Sequence, residues 1–233
     1  SAPVTKDFDQ IREDGVLKMI TRYSSRSYFL DHGIQAGFEY ELIQAFAKLH
    51  GLSVEVVIPV PGQSPIQLLN DGKGDIIADN LMINEKSSEW VHFSQSYDKV
   101  NQVAVVSSDL GYTPYQVNEL EGIPITISKN SIHYSVLNRL MDAGWKLEIN
   151  VIEEERSTES LLMDLARGEV LATVADDQIL QASKKYLRGL VEGPVLARND
   201  EIAWAVRSNA PILENQVNTF LSQHMWVDED GTP

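Results

Sequence analysis

The sequence has no cysteine, which removes disulfides, thiolate metal sites and a cysteine nucleophile together. The compartment stays open on that count, because a chain of 233 residues can bury a core without covalent staples. No apolar run approaches the ~20 residues that a membrane-spanning helix needs. Basic residues are scarce beside acidic ones, 19 Lys and Arg against 34 Asp and Glu, for a net charge of −15. Nucleic acid and anionic membrane both call for a basic face, so neither is expected as a partner. Keeping an exported or halotolerant protein soluble is explanation enough for the excess of acid. The five histidines, at 32, 50, 92, 133 and 224, lie far apart with no ligand-like spacing, and no metal or other cofactor is expected. There is no Gly-x-Ser-x-Gly elbow and no pair of carboxylates placed for acid–base work, so no catalytic residue is assigned.

What is present is ordinary globular composition, 43% hydrophobic and 23% charged, arranged with a clear rhythm. Strand-like and helix-like segments alternate. Residues 16–21 are β-rich, and 37–50 follow with Phe38, Leu42, Ala45, Phe46 and Leu49 at helical spacing. Gly51 stops that helix and 53–59 reads as a strand. Ser64-Pro65 opens a short helix as cap and first residue, and Asp71-Gly72 ends it. Residues 75–78 are a buried strand. The second half repeats the plan: strand 125–128, helix 131–143, strand 146–152, helix 157–166, strand 170–175. Such alternation implies α/β architecture with parallel sheets under covering helices.

Two phrases echo. AKLHGLSVEVV at 47–57 parallels LMDAGWKLEINV at 140–151, and LLNDGKGDIIAD at 68–79 parallels LARGEVLATVAD at 165–176. In each, a helix ends at Gly and a short apolar strand follows, which favours two related lobes over one long sheet. Extended segments 99–107 and 201–207 bracket the second lobe, and a helix at 211–225 follows with Ile212, Val217, Phe220 and Leu221 as its apolar face. The expected division is 1–102 plus 200–233 for one lobe and 103–199 for the other, with two strands crossing between them as a hinge.

Ligands in open α/β sheets bind beyond the carboxyl ends of strands. Four segments qualify: 21–29, 79–84, 128–133 and 175–178. They carry Tyr23, Tyr28, Asn80, Asn84, Ser128, Asn130, Ser131, His133 and Asp176. Each has a plainer reading. Ser131 suits an N-cap, Asp176 could cap a helix beginning at Asp177, and the tyrosines could pack on a lobe surface. Asn80 and Asn84 suit turns, and His133, just inside its helix, is expected to be exposed.

With those residues placed, the chain resembles the family 3 extracellular solute-binding proteins, which serve uptake of polar amino acids. The phrases that carry it are GVLKMIT (15–21), GFEYELIQAFAKLHG (37–51), LLNDGKGDIIADNLMIN (68–84), VHFSQSY (91–97), ELEGIPITISKNS (119–131) and LARGEVLATVADDQIL (165–180). Within that family it is most similar to the solute-binding half of lytic transglycosylases of the F type. The resemblance implies a two-lobed type II periplasmic-binding fold that closes over a small polar ligand, an amino acid, a derivative or a small peptide. It implies contacts from Tyr28, from the backbone of Asn80, Leu81 and Met82, from Asn84 and from the helix start at Ser131, with Asp176 facing the ligand's ammonium. It also implies a periplasmic or extracytoplasmic location and either a membrane transporter or a fused effector domain as partner. A sensor role in a larger envelope protein is the main alternative to uptake, and an enzyme like the cyclohexadienyl dehydratases is a third.

Two departures stand out. Amino acid binders of the family carry an arginine shortly before the Phe-Ser pair, and alignment on Phe93-Ser94 puts Ser87 there, beside Lys86. Lysine lacks the planar fork that grips a carboxylate with two bonds, so the ligand class stays open. Family members also continue past a phrase like DEDGT (228–232), so a chain trimmed from a longer protein is expected, and the opening Ser1-Ala2-Pro3 carries no signal region.

Overall fold

The computed structural model describes residues 2–224. The chain forms two compact units, 1–99 with 201–233 and 100–200, against the expected crossings at 102/103 and 199/200. Its elements run α1 (Phe8–Asp14), β1 (Val16–Ile20), β2 (Phe29–Asp31), β3 (Ile34–Ala36), α2 (Phe38–Leu49), β4 (Ser53–Val57), α3 (Pro65–Asn70), β5 (Ile76–Met82), α4 (Glu85–Ser88), β6 (His92–Phe93) and β7 (Asp98–Ser107). Then come β8 (Pro124–Ser128), α5 (Tyr134–Asp142), β9 (Glu148–Ile152), α6 (Thr158–Ala166), β10 (Ala172–Asp176), α7 (Asp177–Lys184), β11 (Leu190–Val206) and α8 (Pro211–His224). Met225 of the expected last helix and the DEDGT phrase lie outside the described residues.

The first unit orders its strands β4-β1-β5-β11, with β6 also on β11. β1 is parallel to β4 and β5, and β11 is antiparallel to β5. The second unit orders its strands β9-β8-β10-β7, with β8 parallel to β9 and β10, and β7 antiparallel to β10. The pattern is the same in both: the first parallel strand sits centrally, the second outside it, the third inside, and an antiparallel strand follows. The sequence echo thus maps β4 onto β9 and β5 onto β10. Strands β7 and β11 carry the chain between the units, 190–200 of β11 lying in the second and 201–206 in the first.

Alternation along each strand feeds two cores. In the first unit Leu17, Met19, Ile76, Ala78, Trp204 and Val206 pack with α1, α2 and α8, while Ile20, Ile77 and Ala205 pack with α3. In the second, Ala104, Val106, Ile125, Ile127, Ala172 and Val174 pack with α5, and Val103, Val105 and Ala175 with α6 and α7. Burial on both faces is why these strands read as near-continuous apolar runs. The helical periods are as expected but their buried faces are rotated. α2 buries Glu39, Tyr40, Ile43, Phe46 and Ala47, leaving Leu49 exposed. α8 buries Leu213, not Ile212, with Val217, Phe220 and Leu221, at the i, i+4, i+7, i+8 spacing of one stripe.

A buried ion pair fastens the first unit. Arg207, fully buried just past β11, donates to the carbonyls of Leu69 (3.1 Å), Gly74 (2.6 Å) and Lys6 (3.0 Å), and to Asp75 Oδ1 (3.4 Å). Asp75 also accepts from the Lys18 amide at 2.9 Å and meets Lys6 Nζ at 3.3 Å. One guanidinium thereby joins the N-terminal segment, the end of α3 and the start of β5. Removing the guanidinium takes the donors from three carbonyls and leaves Asp75 with Lys6 Nζ as its counter-charge, a loss of the order of a broken buried pair, about 3–5 kcal/mol. Arg207→Met should lower stability by that amount in urea unfolding; a loss below about 1 kcal/mol would contradict this account.

Candidate functional site

In the first unit the strand ends meet around one carboxylate. Gly37, at φ 122°, precedes α2, and a Cβ there would lie 2.5 Å from the Ser27 carbonyl oxygen. Only glycine permits that approach. It lets the first helix amides bond the loop after β1, Glu39 N–H to the Arg26 carbonyl and Tyr40 N–H to the Ser27 carbonyl, each at 3.1 Å. The Glu39 side chain, 1% exposed, then turns inward. Oε1 accepts from the Asn80 amide at 3.2 Å and from the Tyr97 hydroxyl, and Oε2 accepts from the Trp204 indole N–H at 2.7 Å. Burial pushes its carboxyl up to about 7, against the pull of those donors, and the nearby charge of Asp79 adds to the rise.

Asn80 sits in β5 with left-handed backbone, φ 51°, where the register against β11 shifts between Ala203 and Ala205. Asparagine tolerates this conformation better than other non-glycine residues. Leu81 and Met82 resume pairing, opposite Ala203 and Ile202. Before the bulge, Asp79 accepts from the Arg22 amide at 3.0 Å and lies 3.7 Å from its guanidinium. Burial raises the Asp79 pKa, and Arg22 opposes that. Asn84 caps α4, its Oδ1 accepting from the Ser87 amide at 2.8 Å, and Lys86 on that helix is exposed. The two tyrosines part company. Tyr28 is buried in the core, its hydroxyl accepting from Gln35 at 2.9 Å, whereas Tyr23 is 58% exposed, its ring 5.5 Å from that of Tyr28.

In the second unit the expected helix at 131–143 starts later, at Tyr134. Asn130 is left-handed (φ 62°), and Ser131 opens a turn ahead of the helix, its Oγ accepting from the His133 amide at 3.2 Å. Ser131 is therefore a turn residue, and His133 occupies the cap position. Ser128 is a loop clasp, its Oγ accepting from the Arg156 amide at 2.7 Å and donating to the Glu154 carbonyl at 2.9 Å. His133 is not exposed as expected; at 5% it is buried, because its Nδ1 bonds Gln102 Oε1 at 2.8 Å. Burial lowers its pKa to about 4. Gln102 Nε2 in turn donates to Asp200 Oδ2 at 2.7 Å. Asp176, 2% exposed at the end of β10, lies opposite Gln102 in the β10/β7 register and caps α7, Oδ1 accepting from the Ile179 amide at 2.8 Å.

The structure thus gathers Tyr23, Asn80, Leu81, Met82 and Asn84 near the strand ends of one unit, with Tyr28 in its core. Ser128, Asn130, Ser131, His133 and Asp176 gather at those of the other. Glu39, Gln102 and Asp200 were not anticipated. Glu39 was hidden by the rotated face of α2, where it passes for a first-turn acid serving the helix dipole. Gln102 and Asp200 lie in segments whose β-rich pattern speaks only of strands.

A sign follows from the Glu39 shift. Between pH 4.5 and about 7 the folded chain holds a proton that the unfolded chain has lost, so raising the pH across that window costs stability. His133, lowered to about 4, works oppositely, losing stability as pH falls below 6.5. The Tm of the parent minus that of Glu39→Gln should therefore fall from pH 4.5 to 7, by the equivalent of about 3 kcal/mol at most. A difference that stays constant across the window would contradict an elevated Glu39 pKa.

Comparison with known proteins agrees with this architecture. The membrane-bound lytic murein transglycosylase F of Pseudomonas fluorescens is 29% identical over 96% of this chain, which covers 46% of that protein. The chain spans less than half the length of the curated relatives it matches. Among solved structures, the arginine-bound truncated arginine-binding protein of T. maritima superposes with TM-score 0.78 at 22% identity, covering 93% of this chain and 99% of that one. The ancestral amino acid-binding protein described as a precursor of cyclohexadienyl dehydratase gives 0.77 at 24% identity, covering 92% and 91%. Both show the same two-lobed α/β periplasmic-binding fold. The model of the bacterial extracellular solute-binding proteins, family 3, matches residues 17–230, and the chain belongs to that family.

Proposed function

We propose that this chain is a non-catalytic, extracytoplasmic binding domain for a small amine-bearing solute, an amino acid, a derivative or a small peptide. The observation that carries the reading is Asp176. A carboxylate 2% exposed at the carboxyl end of a central strand lies where open α/β sheets take their ligands. A carboxylate only accepts, and Asp176 Oδ1 takes its cap bond from the Ile179 amide. An ammonium supplies three donors and the opposite charge. The family supports solute binding.

The ligand's own carboxylate finds no fork at position 87, where Ser87 stands beside an exposed Lys86. That favours solutes whose acid end is masked or distant, such as peptides. Relatives named as murein transglycosylases, of which this chain covers less than half, favour regulation by murein-derived peptides within a larger envelope protein. Uptake through a membrane transporter is the alternative reading, supported by the family alone.

A thermal-shift series with the common amino acids, dipeptides and murein-derived peptides tests binding, since a ligand at about 100 times its Kd adds about 2.7 kcal/mol. At least one of them should raise the Tm; no shift with any of them would contradict the reading. Asp176→Asn keeps the helix cap and removes the charge. It should melt like the parent and bind the tightest amine-bearing hit at least tenfold more weakly by calorimetry. Parent-like affinity would make Asp176 a cap and nothing more.

A further inference from the structure

The second unit holds a relay of side chains whose directions can be worked out. Asp200 is a carboxylate, and a carboxylate only accepts. The Gln102 group 2.7 Å from it must then be the amide NH2, which turns the Gln102 oxygen toward His133. That oxygen also only accepts, so His133 Nδ1, at 2.8 Å, must carry a hydrogen and donate it. In the neutral ring, Nε2 is then left with a lone pair and no hydrogen of its own. No hydrogen bond to Nε2 occurs among the described residues. A ring that is 5% exposed has every reason to stay neutral.

The place of this acceptor matters. His133 follows β8 and precedes α5, at the strand end, and Gln102 lies in register with Asp176 on the neighbouring pair β7 and β10. The strand ends of this unit therefore present two buried acceptors, an imidazole nitrogen and a carboxylate. An anionic ligand group would meet lone pairs there; a group rich in N–H or O–H would be matched.

We propose that His133 sets ligand specificity, its Nε2 accepting a hydrogen bond from an ammonium, amide N–H or hydroxyl of the bound solute, with Gln102 and Asp200 as positioning residues that hold the tautomer. This rests on the solute-binding reading above, and it adds His133 Nε2 as a second acceptor, beside Asp176, for the donor groups of the solute.

The test uses the chain labelled with 15N in its histidine rings, with His133 assigned by the signal lost in His133→Gln. Long-range 1H–15N spectra of the free protein at pH 7 should show a neutral ring with hydrogen on Nδ1; hydrogen on Nε2, or an imidazolium, overturns the proposal. L-Arginine, L-alanyl-L-alanine and a murein tripeptide are then added singly. A probe that binds should move the Nε2 resonance in the direction of hydrogen-bond acceptance. His133→Phe should bind that probe about tenfold more weakly, and Gln102→Leu should give a mixed tautomer and an intermediate loss. Binding with an unmoved Nε2, or parent-like affinity in His133→Phe, overturns this proposal and leaves the solute-binding reading standing. Failure of all three probes and of the wider thermal-shift series to bind the parent overturns both.

Discussion

One buried carboxylate holds the first unit's strand ends in place. Glu39 joins helix α2, the kinked middle of β5, the segment before β7 and strand β11 through its bonds to Asn80, Tyr97 and Trp204. Burying a carboxyl is costly unless its lone pairs are met, and here three donors meet them. The left-handed turn at Asn80 is an unfavourable conformation for a side-chain-bearing residue, and its amide is held by that same carboxylate. Removing the acceptor would take the Glu39 bond from the Asn80 amide, just ahead of the pairing of Leu81 and Met82 with β11. The glycine at 37 is the other half of this arrangement, because it allows α2 to approach the loop at Ser27 closely enough to deliver Glu39.

The two units share a strand order and use it differently. Asp79 and Asp176 occupy matching places in the echoed phrases, the first midway along β5 and the second at the end of β10. The first is committed to the Arg22 and Thr21 loop after β1. The second caps a helix and faces Gln102 across a strand pair. Each unit also has a polar hub at its strand ends, built on a carboxylate in one and on a primary amide in the other. An amide can both accept and donate, and that is why Gln102 can pass direction from Asp200 to His133, whereas Glu39 accepts from three donors around it. Duplicated topology thus leaves room for divergent chemistry at corresponding positions.

Much of this was legible in the chain before any coordinates. The alternation of strand and helix, the caps at Ser64 and Asp176, and the echo of β4 with β9 and β5 with β10 are local, periodic signals that survive folding. The family resemblance rests on those same phrases. What was not legible depends on rotation and on long-range partners. A face read one residue off on α2 turns Glu39 from a core residue into a surface acid. His133 seemed exposed by its position near a helix start; it is buried and bonded to Gln102, 31 residues away. Tyr28 and Tyr23 are five apart and look alike in sequence, yet Gln35 and Tyr40 draw one into the core and leave the other out. None of these pairings has a periodic signature.

The proposed role of the strand ends of this family 3 fold is to bind an amine-bearing solute, with Asp176 as its acceptor. A crystal structure of the chain with its tightest ligand, taken at saturation, tests that most directly. The claim predicts the ligand's amine within hydrogen-bond distance of the Asp176 carboxylate. A ligand seated elsewhere, or one that turns an acidic group toward Asp176, would contradict it.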